Sequence, residues 1–117
     1  MDVYMNDNLY ANIGILQVIF QTLSDANRLK IIKFINDTEC SVNQIVEETR
    51  LSQPLVSHHL RTLRERQILE TTRKGPFIYY RVKDKRLLNI FDSIIEVVGP
   101  LDESKLNKPF RHRPMSC

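Results

Sequence analysis

The chain has 117 residues, 42% of them hydrophobic, with two cysteines and no tryptophan; this suits one modest domain and is too little for two. No stretch approaches the roughly 18 apolar residues of a membrane span, the opening MDVYMND is polar and acidic, unlike a secretory leader, and two distant cysteines make no disulfide scaffold, so a cytoplasmic protein is expected. The net charge of +3 divides unevenly: residues 1 to 49 carry three basic and seven acidic side chains, residues 50 to 86 ten and three, and residues 87 to 117 four of each. Only the middle segment is suited to a polyanion.

Leu9, Ile13, Leu16, Phe20 and Leu23 recur at three- and four-residue steps, one face of a first helix, and Ile15, Val18 and Ile19 widen the stripe. So much apolar circumference on a short helix calls for cover on more than one side, which in a small protein suggests a partner subunit. Ser24 or Asp25 is suited to cap a second helix, whose buried side carries Leu29, Ile31, Ile32, Phe34 and Ile35. Asn36, Asp37 and Thr38 supply turn chemistry, and Ser41 caps a third helix through Glu48 or Thr49 with Val42, Ile45 and Val46 inward.

A fourth helix follows, with Ser52 as its cap and Pro54 in its first turn, where a missing N–H costs nothing. Leu55, Val56, His59, Leu60 and Leu63 form its expected apolar side, while Gln53, Ser57, His58, Arg61 and Arg64 fall on or near the other. Two short helices joined by a tight turn, the second basic and outward-facing, make the layout of a helix-turn-helix.

After Ile68 the period changes. Residues 69 to 74 (LETTRK) and 77 to 82 (FIYYRV) flank Gly75-Pro76 and predict a hairpin, the wing, with Ile78, Tyr80 and Val82 on one face and Phe77, Tyr79 and Arg81 on the other. A last helix is expected from about Asp84 to Val98, with Leu87, Phe91, Ile94 and Val98 on one stripe and Leu88, Ile90, Ile95 and Val97 beside it. It too is over-apolar for a free surface, and Gly99-Pro100 stops it. The fold class is therefore mainly α with a small β-hairpin, a winged helix-turn-helix in the order α-α-α-α-β-β-α. Residues 1–98 form the DNA-binding and dimerisation domain, residues 9–23 and 84–98 the dimer interface, and residues 99–117 a polar, flexible tail.

Such a helix can enter the major groove, where Gln53 suits adenine, Arg61 can fork onto guanine, and Ser57 and His58 can bond a base or phosphate. The expected DNA-facing set is Ser52, Gln53, Leu55, Ser57, His58, Arg61 and Arg64, joined by Arg73 and Lys74 at the hairpin tip, within reach of a phosphate or the minor groove. The bland alternatives are a solvated helix face for Arg64 and Arg66 and ordinary exposed charge at the tip. His58 and His59 point about 100° apart on a helix, so they do not converge on one ion; His58 is read as a DNA contact and His59 as packing. Tyr80 is expected in the core of the wing and Tyr79 beside a neighbouring strand, rather than as a stacking platform for single strands.

The runs LSDANRLKIIKFI (23 to 35), LSQPLVSHHLRTLRERQIL (51 to 69) and RKGPFIYYRV (73 to 82) together resemble the ArsR/SmtB family of winged-helix repressors over residues 20 to 95. The resemblance implies a twofold dimer built on the first and last helices, bound to an inverted-repeat operator and released by an inducer. It also implies DNA contacts at Gln53, Ser57 and His58, with Pro54 replacing a small polar residue. The family's metal sites do not carry over. One uses a Cys-x-Cys pair whose positions fall at Ser41 and Asn43, with Cys40 just outside; the other uses carboxylates and histidines on the last helix, where Asp84 is followed by Arg86, Ile94 and Val97. Three readings of the inducer stay open: a thiol switch or soft ion at Cys40 and Cys117, added soft-metal ligands from His112 and Met115 in the tail, or another signal or none, with Cys40 an ordinary small residue.

Two other classes compete. A winged helix can dock a protein instead of DNA, with a different dependence on salt. An enzyme is disfavoured because the chain has no glycine-rich phosphate loop, paired-carboxylate site or Cys/His arrangement for nucleophilic chemistry.

Overall fold

Local signals set most of the helix ends. Asp25, in extended backbone, accepts a hydrogen bond from the Arg28 amide at 3.0 Å and opens a new helix just after the first ends. Ser41 and Gln44 form a reciprocal capping box, the Gln44 amide donating to Ser41 Oγ and the Ser41 amide to Gln44 Oε1. Arg50, at φ 62°, closes that helix in the left-handed conformation.

A computed structural model describes residues 10–105. The elements run α1 (Ile13–Leu23), α2 (Ala26–Ile35), β1 (Cys40–Ser41), α3 (Val42–Thr49), α4 (Gln53–Glu65), β2 (Leu69–Lys74), β3 (Phe77–Val82), α5 (Arg86–Val98) and a 3-10 turn (Glu103–Lys105). Leu9, at the start of the expected first stripe, and most of the tail lie outside the described residues.

The hairpin has the expected bounds, but it is two-thirds of the sheet. β1 pairs antiparallel with β3, Cys40 opposite Tyr80 and Ser41 opposite Tyr79, giving the order β1-β3-β2. A two-residue strand is too short to show alternation, so the sequence does not announce it. Ser41 thus ends a strand and caps α3, linking the wing to the first helix of the helix-turn-helix.

The core is built around α2. Ile31, Ile32 and Ile35 meet Ile45 of α3, Val56, Leu60 and Leu63 of α4, and Leu69 and Val82 of the wing, all buried. Each such side chain contributes about 1.5–3 kcal/mol on burial. Leu55 does not join them: it is 37% exposed. One residue before Val56, it lies about 100° round the helix from the buried Val56–Leu60–Leu63 line.

The outer helices are different. Thr22 is the one deeply buried residue of α1 and α5 has none, with Phe20 56%, Ile95 67% and Val97 85% exposed. Leu87, Leu88 and Phe91 seat one side of α5 on the core, so the expected stripe divides: Leu87 and Phe91 face inward, Ile94 and Val98 outward. The helix starts at Arg86 rather than Asp84, because the Asp84 carboxylate accepts from the Arg86 amide ahead of the first turn. No helix among the described residues is long and apolar enough to cross a membrane.

Candidate nucleic-acid interface

Helix α4 is held by its buried side and presents the other. Ser52 Oγ accepts from the Leu55 amide at 3.3 Å, and its carbonyl accepts from Val56 at 3.0 Å. The hydroxyl proton stays available to an outside acceptor, at the positive end of the helix dipole, where anions are favoured. Gln53, Leu55, His58, Arg61 and Arg64 are exposed along this helix and Ser57 is half-buried. Gln53, Ser57 and Arg61, at four-residue spacing, share one face.

The cations differ in how far they are already neutralised. Arg81 pairs with Glu70 at 2.7 Å, Arg86 with Asp84 at 2.6 Å, and Lys74 with Glu39. Arg61, Arg64, Arg66 and Arg73 form no ion pair among the described residues. Arg61 and Arg64 on α4 and Arg73 at the wing tip are therefore free to meet a polyanion, in contrast to Lys74, Arg81 and Arg86. Lys74 also lies 5.5 Å from the centre of the Tyr79 ring, a cation–π contact, and its carboxylate partner on the α2–β1 turn was not legible from sequence. Tyr80 packs against the core and Tyr79 stays half-buried on the other face.

The two adjacent histidines part company. His58 is exposed, whereas His59 is 5% exposed. Arg28 Nη1 lies 3.4 Å from His59 Nδ1, Asp25 Oδ1 lies 4.0 Å from His59 Nε2, and Arg28 Nε donates to the Thr22 carbonyl at 2.6 Å. One buried imidazole thus ties α4 to the end of α1 and the first turn of α2. Burial is the main cause that lowers the His59 pKa from its ordinary 6.5; Asp25 opposes the shift, while Arg28 and His58 add to it.

The sign of the pH effect follows. Folding holds His59 neutral, so its contribution is complete above 6.5, where both states are neutral. It is lost as the unfolded chain takes up a proton and pH falls toward the lowered folded value. The melting temperature should fall between pH 7.5 and 5.5, and His59→Gln should flatten that fall. An equally steep decline in the variant would assign the loss to other groups.

The positions that resemble metal ligands do not fit a metal. Ser41 is engaged as a cap, and Asp84 is held at about 2 by its hydrogen bonds to the Arg86 guanidinium and amide. No cluster of three or more His, Cys, Asp or Glu side chains suited to an ion occurs among the described residues. Cys40 is buried in the core, its Sγ 3.9 Å from Thr38 Oγ1. His112 and Cys117 lie outside the described residues.

Comparison with known proteins agrees with this layout. The family described as bacterial regulatory protein, arsR family, matches residues 25–71. The chain is 36% identical over 84 residues to the transcriptional repressor SdpR of Bacillus subtilis, covering 72% of this chain and 93% of the relative. It is 30% identical over 95 residues to the HTH-type transcriptional regulator KmtR of Mycobacterium tuberculosis, covering 81% and 71%. In fold it superposes on the homodimeric winged helix-turn-helix DNA-binding domain of a possible ArsR-family regulator from Mycobacterium bovis with a TM-score of 0.70 and 21% identity, covering 92% of this chain and 94% of that one. These matches, spanning the helix-turn-helix and the wing, establish that the chain belongs to the ArsR family of bacterial transcriptional regulators.

Proposed function

We propose that this chain is a cytoplasmic repressor that binds double-stranded operator DNA as a homodimer and lets go when an inducer arrives. The observation that carries the reading is α4: one face is locked into the core by Val56, His59, Leu60 and Leu63, while the other holds Gln53, Ser57 and Arg61 in line. Rigid seating of this kind is what reading base edges requires. Ser52, Gln53, Leu55, Ser57, His58 and Arg61 engage the major groove; Arg64, Arg73 and Lys74 bind phosphates.

The uncovered faces of α1 and α5 are the dimer surface, within residues 9–23 and 84–98, and the twofold of the dimer matches an inverted repeat. Residues 1–98 make up the DNA-binding and dimerisation domain, and residues 99–117 are an appendage to it. The relatives are regulators of transcription rather than enzymes, in keeping with a role carried out by binding alone.

The test is fluorescence anisotropy with DNA from upstream of the chain's own gene, titrated at several salt concentrations. Counterion release makes repressor binding fall steeply with salt; affinity that hardly changes would point to a protein-docking winged helix. Glu39→Gln supplies a second check, because it frees Lys74. Exposed pairs are worth about 0–1 kcal/mol, so a gain of at most about fivefold is expected, equal on operator and random DNA. Lys74→Ala should weaken both alike. A gain confined to the operator would show that Lys74 reads sequence.

A further inference from the structure

The wing tip carries two large apolar side chains with no cover: Phe77 is 57% and Ile78 42% exposed. The strand register sets Phe77 opposite Lys74 and Ile78 opposite Arg73, on either side of Gly75 at φ 64°. Successive strand residues point to opposite faces, so each face of the tip bears one apolar side chain and one long cation. Ile78 and Arg73 continue the face that packs Tyr80, Val82 and Leu69 on the core; Phe77 and Lys74 lie on the face of Tyr79.

The pairing of apolar body and cation on both faces matches one surface. The minor groove of duplex DNA has two walls of deoxyribose, largely apolar, each edged by phosphates. We infer that the wing tip is a two-faced insert for that groove, Phe77 and Ile78 packing on the sugars of opposite strands while Arg73 and Lys74 reach the phosphates. The inference rests on the DNA-binding reading above and extends it to apolar contact. Duplex DNA is favoured over a protein surface or a second copy because the segment from 50 to 86 holds ten basic and three acidic side chains. Lys74 exchanges the Glu39 carboxylate for a phosphate as it docks.

The insert also deforms its target. A sheet layer with side chains on both faces is on the order of 10 Å thick, against about 6 Å for the minor groove of B-DNA. The groove must open, which costs least at flexible pyrimidine–purine steps. The wing therefore selects for deformability at positions that α4 does not touch.

The experiment uses the full chain and its Phe77→Ser and Ile78→Ser variants, neither of which removes a core contact, with unchanged melting as the check on folding. Each should lose about fivefold in affinity for operator duplex, the size of partly burying one apolar side chain. The slope of log affinity against log salt should stay unchanged, whereas Arg73→Ala lowers it by about one. Wild type should prefer duplexes with a TA step beneath the wing to those with a stiff A-tract, and the variants should lose that preference. Unchanged affinity overturns the insert, as does a slope reduced like that of Arg73→Ala, which would make the apolar pair a mere support for the cations. Altered sedimentation of the variants also overturns it, by assigning the tip to contact between copies. Failure of wild type itself to bind duplex DNA in a salt-dependent way removes the repressor reading instead.

Discussion

Ile94→Glu should leave the protein monomeric and lower its affinity for a two-half-site operator by at least a hundredfold. Ile94 is 46% exposed on α5, with Ile90, Ile95, Val97 and Val98 exposed beside it and Ile13, Leu16 and Phe20 uncovered on α1. Apolar surface of this extent on a small protein is what the proposed dimer interface would cover. A carboxylate buried there without a partner is strongly unfavourable. Two linked half-site contacts gain 10²–10⁴ in avidity through effective concentration, and a monomer forfeits that gain. Sedimentation equilibrium reads the mass and anisotropy the affinity; a variant that still sediments as a dimer would move the interface off α5. Since Ile94 lies on the exposed side of α5, away from the Leu87, Leu88 and Phe91 contacts with the core, folding should survive the change.

The second large effect separates two neighbours on α4. Leu60 is fully buried against α2 and α3, whereas Arg61 is exposed. Leu60→Ala removes atoms and leaves a cavity, costing about 2–5 kcal/mol, a large part of the total stability of a domain this size. Its melting temperature should drop by about 10 °C or more. Arg61→Ala should leave melting unchanged while reducing operator affinity by about 1–3 kcal/mol, roughly 5- to 150-fold, and random-DNA affinity far less. Ser57→Ala should discriminate in the same direction, more weakly. Equal losses on the two DNAs would mean that α4 binds phosphates and reads no bases.

Much of this architecture is legible in the chain because its signals are local. Asp25, Ser41 and Ser52 cap helices through hydrogen bonds that reach only three residues ahead, so the starts of α2, α3 and α4 can be read off directly. Gly75 marks the hairpin by the positive φ it adopts. The alternation of FIYYRV and the stripe Val56–Leu60–Leu63 follow from strand and helix periods alone. The excess of apolar residues on the first and last helices is likewise visible before any fold is known, and the structure leaves those side chains exposed.

The remainder depends on contacts between distant segments. Leu55 and Val56 are both apolar, and only the position of the core decides which is covered. The helix period sets His59 on the apolar side and His58 on the outer one, but Arg28 and His59 are 31 residues apart, and nothing local names Arg28 and Asp25 as the partners of the buried ring. The pairing of Glu39 with Lys74, the short strand β1 and the division of the α5 stripe between core and solvent are of the same kind. By itself the sequence determined the five helices and the hairpin, since those follow from hydrogen bonds and periodicities spanning a few residues, but not the short strand β1, which exists only through its pairing with β3. Tertiary structure alone decided which cations are already neutralised and which apolar side chains are left bare, because burial and charge pairing belong to the packed assembly and not to any one segment.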